Sequence, residues 1–318
     1  MTLVGADDGC RIADGALEGP WRTPRQLLAR QHSGGAGSIH DDAVAAGLGL
    51  GAGTIEGPTH FSQIAFLCAR AWGREWFETG CLSVKFKAPS HAGDEVRAAL
   101  RWPVDPAGLN DVWVVKRDGI DVLRGSASAG PSQTATALRQ GLLRTRRRAL
   151  GGADDAPMVG RTSGRIAARL SFDARLGALY PFSLNEKLAA MTQPHPWYTK
   201  EAGGTSPWGR PVVPLEMVSV LLRHGSGNFP FPADYPFVQM FAAQEIRLHA
   251  GPLFVDCPYE LEHTVVAANQ LRQLESTWIH TDVFAQGAMV PLATMLLNIV
   301  GFTGKANESS PRTASGRA

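Results

Sequence analysis

The segment IHDDAVAAGLGLGAGTIEGP, which begins at Ile39, is echoed by WYTKEAGGTSPWGRPVVPLE, which begins at Trp197, 158 residues further on. Later in each half, VKFKAPSHAGD ends at Asp94 and IRLHAGPLFVD at Asp256, an offset of 162, and the extra residues fit the loop GSGNFPFPADYP, which the first half lacks. Two separate matches at nearly the same offset mean one structural unit used twice. The order of elements agrees. The spacing predicts a helix over 54–72, with Ile55, Ile64, Leu67, Cys68, Ala71 and Trp72 at helical intervals, and then strands over 81–87, 93–102, 111–117 and 120–128. The second half predicts a helix over 213–223 and strands near 241–249, 257–267, 270–283 and 288–299. A helix followed by an antiparallel meander, twice over, is an α+β pattern in which each sheet wraps its own helix.

Composition narrows the functional classes. With 318 residues the chain suits two ordinary domains or one doubled one, and 35 Gly with 21 Pro mark a turn-rich fold. A net charge of +2 with 19% charged residues gives no electrostatic footprint for nucleic acid. Cys10, Cys68, Cys81 and Cys257 form no Cys-x-x-Cys pair, so neither a disulfide framework nor a zinc site is expected. His249, His263 and His280 lack ligand-spaced partners, and no metal is expected. The acidic N-terminus and the lack of an 18-residue apolar run lead to the expectation of an unexported cytoplasmic protein without membrane contact. Low apolar content marks 131–165 as a linker and 303–318 as a disordered tail, leaving domains at 1–130 and 166–302. The run Arg144, Arg146, Arg147 and Arg148 reads as a solvated linker face.

A His-containing stretch, a Gly-rich loop, a helix and the strand VKFKAPSHAGDEV together resemble the hotdog fold of the MaoC-like (R)-specific enoyl-CoA hydratase and dehydratase family. Taken over 20–128 and 170–300, the resemblance is to its double-hotdog members, in which two copies form an internal pseudo-dimer. It implies two antiparallel sheets, each around a central helix, and addition or removal of water, or a double-bond shift, at the 2,3 position of an acyl thioester. It implies no separate cofactor, since coenzyme A or phosphopantetheine belongs to the substrate. The implied partners are a small acyl thioester or an acyl carrier protein, with the chain a monomer or homodimer. The family's catalytic pattern is Asp-x-Asn-Pro-x-His on the loop before the helix. Here His40 takes the His position and Gly35 the Asp position, while the second half has Tyr198, His195 and Gln193 at the His, Asn and Asp positions.

His40 is a candidate base, aided by Asp41 or Asp42, or else a capping and packing residue. Glu56, at the start of the first helix, is either a carboxylate that favours the helix dipole or, as in hotdog thioesterases, a nucleophile or base beside the Gly57 N–H. His60, one turn on at i, i+4, is expected to join it on one helix face. Tyr198, His195 and Gln193 form either a polar site of altered chemistry or part of an aromatic packing cluster with Trp197 and Trp208. Arg70 and Arg74, with Arg97, Lys85 and Lys87, are candidate contacts for the carrier's phosphates. Three functions stay open: a hydratase or dehydratase, a thioesterase using Glu56, and a non-catalytic acyl-binding protein.

Overall fold

The computed structural model describes residues 8–31, 38–130, 135–149, 158–224, 229–230, 238–271 and 274–302. The first half runs β1 (Arg11–Ala13), β2 (Ala16–Glu18), α1 (Asp42–Gly47), a 3-10 turn (Gly57–His60), α2 (Phe61–Trp72), α3 (Arg74–Thr79), β3 (Cys81–Phe86), β4 (Val96–Arg101), β5 (Asn110–Lys116) and β6 (Asp121–Ser128). The second runs α4 (Ala137–Ala149), β7 (Thr162–Arg169), α5 (Leu184–Ala190), α6 (Leu215–His224), β8 (Gln239–Leu248), β9 (Pro258–Leu271), β10 (Leu274–Ala285) and β11 (Ala293–Phe302).

The two sheets expected from the sequence are one. Eleven strands lie in the order β1-β2-β4-β5-β6-β3-β8-β11-β10-β9-β7, because β3 and β8 pair antiparallel from Cys81↔Arg247 to Lys85↔Ala243. Read outward from that joint, 3-6-5-4-2 mirrors 8-11-10-9-7, the pattern of a pseudo-twofold axis.

The 158-residue offset also holds at single hydrogen bonds. Thr54 N–H donates to the Ile39 carbonyl at 2.9 Å and Val212 N–H to the Trp197 carbonyl at 2.8 Å. The bridges Thr54↔His91 and Val212↔Phe254 are equivalent too, their second partners 163 residues apart. His40 and Tyr198, each following its acceptor residue, therefore occupy equivalent positions.

The first central helix is shorter than its apolar spacing predicts. Gly57-Pro58 opens a tighter 3-10 turn, and α-geometry starts at Phe61. Ile64, Leu67 and Cys68 are fully buried on one face of α2, and Gly73 ends it at φ 59°, a conformation that favours glycine. Met217, Val220, Leu221 and Leu222 bury α6 likewise. Both helices share one core with the sheet.

The stretch expected as linker contains α4, packed through Leu138 against Ala243, Ala267, Trp278 and Leu296 of the sheet. Its anchor is the buried Glu245, which accepts from the Thr136 hydroxyl and from Arg139 Nε. Arg144 is exposed, and Arg146 Nε donates to the Val266 carbonyl at 2.8 Å. Residues 303–318 lie outside the described residues. Among those described, no helix is long and apolar enough to cross a membrane, and no group of three or more His, Cys, Asp or Glu is placed to hold a metal.

Candidate functional site

The chemistry-bearing residues converge where the starts of α2 and α6 meet. Glu56 is the N-cap of the turn that leads into α2, and Glu216 lies in the first turn of α6. Both helix starts present the positive end of a dipole, which favours a carboxylate. Between them stands Lys187 of α5. Its Nζ donates to Thr59 Oγ1 at 2.9 Å, lies 3.4 Å from Glu56 Oε2 and 3.9 Å from Glu216 Oε1. All three charged groups are buried, with Glu216 only 1% exposed. Burial, reinforced by the Glu56 charge and opposed by Lys187, pushes the Glu216 carboxyl up to about 7.

Local sequence explains the placement of Lys187. Ser183 and Glu186 form a capping box that starts α5, and Lys187 follows one position later on the buried side with Leu184. A lysine on an apolar helix face, and Glu216 as the lone acid in PLEMVSVLL, were the available signals. Sequence reasoning missed both residues.

His40 sits at the edge of this cluster, half-buried. Its Nδ1 lies 2.6 Å from the Thr54 carbonyl, which can only accept, so Nδ1 carries the proton and Nε2 keeps a lone pair. Burial holds the imidazole below its ordinary pKa; the Thr54 hydrogen bond and the Glu56 charge oppose this, and Lys187 adds to it. His40 is thus a neutral base within electrostatic reach of Glu56. Asp41 and Asp42, expected to aid it, are engaged elsewhere: Asp41 caps α1 through the Ala43 and Val44 N–H groups, and Asp42 accepts from the Gly53 N–H at 2.8 Å. Gly53 itself admits no side chain, since a Cβ there would lie 2.4 Å from the His40 carbonyl oxygen. Gly35 falls outside the described residues.

His60 does not join Glu56. The 3-10 turn has three residues per turn, so i and i+4 diverge, and His60 Nε2 instead meets Ser90 Oγ at 3.0 Å. Gly57 packs its bare Cα against the Phe86 ring, where a Cβ would come within 2.4 Å.

Of the second-half candidates, His195 and Tyr198 pack together, ring centroids 5.4 Å apart, in the aromatic cluster with Trp197 and Trp208. Gln193 Oε1 accepts from Arg22 Nε at 3.0 Å. His195 Nδ1 accepts from the Trp197 N–H at 3.2 Å, capping a 3-10 turn, and its ring packs among Phe77 and Trp197. Tyr198 is buried, and desolvation and the charge of Glu216 push its phenol up. It faces an apolar cavity of about 20 Å³, lined by Phe77, Leu215 and Leu253 among others, with room for about one water. Arg70 lies in the last turn of α2 and Arg74 opens α3, so about 18 Å of helix separates them from the end where Glu56 sits. Arg70 pairs with Asp8, and Arg74 pairs with Glu78 and covers the Trp208 ring. Arg97 pairs with Glu18.

A pseudo-twofold pair of sheet-wrapped helices defines the class as a double hotdog. No family model matches the chain, and no curated protein matches its sequence. Among solved structures it is similar to a MaoC domain protein dehydratase from Chloroflexus aurantiacus, 12% identical over 90% of this chain and 95% of that one, with a TM-score of 0.53. It is also similar to Rv0216 of Mycobacterium tuberculosis, a double-hotdog protein, at 14% identity over 89% and 94%, with a TM-score of 0.50. At such identities the likeness is one of fold.

Proposed function

We propose that the chain is an acyl-thioester enzyme of the MaoC-like hydratase and dehydratase type, with its working site in the first half. The observation that carries this is His40, a neutral imidazole whose Nδ1 is held by Thr54 while Nε2 keeps its lone pair, within electrostatic reach of the Glu56 carboxylate at the mouth of the central helix. The carboxylate that the family pattern sets on the loop is supplied here by Glu56, from the helix start. In hydration, His40 Nε2 takes a proton from water as its oxygen bonds to C3 of the enoyl group. Glu56 stabilises the imidazolium that results, and that proton returns to C2, so atoms and charge balance. The positive end of α2 faces the thioester oxygen as negative charge develops there. The thiol carrier, coenzyme A or phosphopantetheine, arrives with the substrate.

The similarity to a dehydratase supports this choice. So does the Lys187 contact, because a Glu56 already held by an ammonium and stabilising a neighbour is better suited to an electrostatic role than to attack on a thioester. The equivalent position in the second half is closed by Tyr198. The test is incubation with short and long trans-2-enoyl-CoAs, following loss of enoyl absorbance and release of free thiol in parallel. Hydration that falls by about 10²–10⁴-fold in both His40→Ala and Glu56→Gln is expected. Thiol release without loss of the enoyl group, dependent on Glu56 but not on His40, selects the thioesterase instead, and acyl-CoA binding with neither reaction selects a binding protein.

A further inference from the structure

We infer that Lys187, a residue of the second half, is the positioning residue of the first half's site, fixing the Glu56 carboxylate at the start of the central helix so that the first half is not competent without the second. This rests on the function proposed above and assigns the second half a role in it. A buried lysine needs its charge matched. Lys187 meets that need with groups from both halves: Glu56 and Thr59 before α2, and Glu216 at the start of α6. The other groups around it are the Phe182 ring, 5.6 Å away, and the imidazoles of His40 and His60, whose titrations both register its charge.

The arrangement is asymmetric in a useful way. The Thr59 hydroxyl, at 2.9 Å, anchors the ammonium on the α2 side, half an ångström nearer to Glu56 than to Glu216. Lys187 thereby holds Glu56 in one orientation, while Glu216, at the greater distance, completes its surroundings. No loop residue of the first half supplies a cation to this spot among the described residues. Doubling the hotdog therefore did more than duplicate a site: the second copy's α5 became part of the first copy's active centre.

The test follows the His40 imidazole by NMR in histidine-labelled protein, alongside the pH profile of kcat/KM on an enoyl-CoA. Wild type is compared with Lys187→Met, with Lys187→Met/Glu216→Gln, which also removes one of the two buried acids and so protects the fold, and with Lys187→Arg. Loss of the cation is expected to raise the His40 pKa in both Met variants, to carry the acid limb of kcat/KM upward with it, and to lower kcat about 100-fold with little change in KM. Lys187→Arg is expected to return the His40 titration to that of wild type. A His40 titration in the double variant that superimposes on wild type overturns the inference and leaves Lys187 a structural residue. If the titration moves but wild type converts no enoyl thioester, the coupling stands and the proposed reaction falls.

Discussion

Replacing Glu216 with Gln changes stability by an amount that depends on pH. In the folded protein the Glu216 carboxyl titrates at about 7 instead of 4.5. Because the folded value is the higher one, its contribution is fully present below pH 4.5 and is lost as pH rises through 7. A rise of that size is on the order of 3 kcal/mol, most of which falls between pH 5 and pH 8. Gln keeps the shape and has no proton to lose. Glu216→Gln should therefore gain roughly 2–3 kcal/mol on wild type as pH goes from 5 to 8, read as the change in urea midpoint difference by tryptophan fluorescence. At a slope of a few kcal/mol per molar, that is roughly 1 M. A difference that is flat with pH, or that runs the other way, refutes the assignment of a buried acid with a raised pKa at the start of α6.

Other expectations are more local. His60, held at about 4 by burial, is neutral in the fold, so its contribution is present above pH 6.5 and is lost toward pH 4, about 3 kcal/mol in all; His60→Gln should flatten that part of the acid unfolding curve. Gly53→Ala forces a methyl group onto the His40 carbonyl oxygen, and should lower kcat with the urea midpoint falling by the equivalent of about 1–3 kcal/mol. Leu67→Ala opens a cavity in the face of α2 packed against the sheet and should cost about 2–5 kcal/mol in chemical denaturation. Thr136→Val removes a hydroxyl from the buried Glu245, costing about 1–3 kcal/mol, and should speed hydrogen exchange across α4 before the rest of the sheet.

Much of this was legible in the sequence, for reasons that particular residues show. The strands DVWVVKR and CLSVKFK declare themselves by β-rich composition between turn residues, and the doubled order by its offset. The sequence left continuity of the two sheets open, because the pairing of Cys81 with Arg247 leaves no local mark in either segment. Helix α4 was hidden by its own composition: Leu138 and Leu142 are a thin apolar stripe among five arginines, and what seats it is Glu245, a hundred residues away. At the site, His40 and Glu56 were visible as residue types on a loop and at a helix start. Their neighbour Lys187 was not, since a lysine in a capping-box helix reads as solvent-facing until the fold turns it inward.

A lamella of eleven strands has only two rims, and both are guarded. One ends in β1, three residues long; the other in β7, where the register shifts between Thr162 and Arg165 and where Arg165 and Arg169 pair with acids. Short, bulged and charged borders are poor templates for another strand. Cut between the halves, the same chain would bare β3 or β8, largely buried strands whose hydrogen-bonding groups would then stand open. Fusion into one polypeptide thus works as protection against aggregation, and separately expressed halves are expected to be soluble only when they find each other.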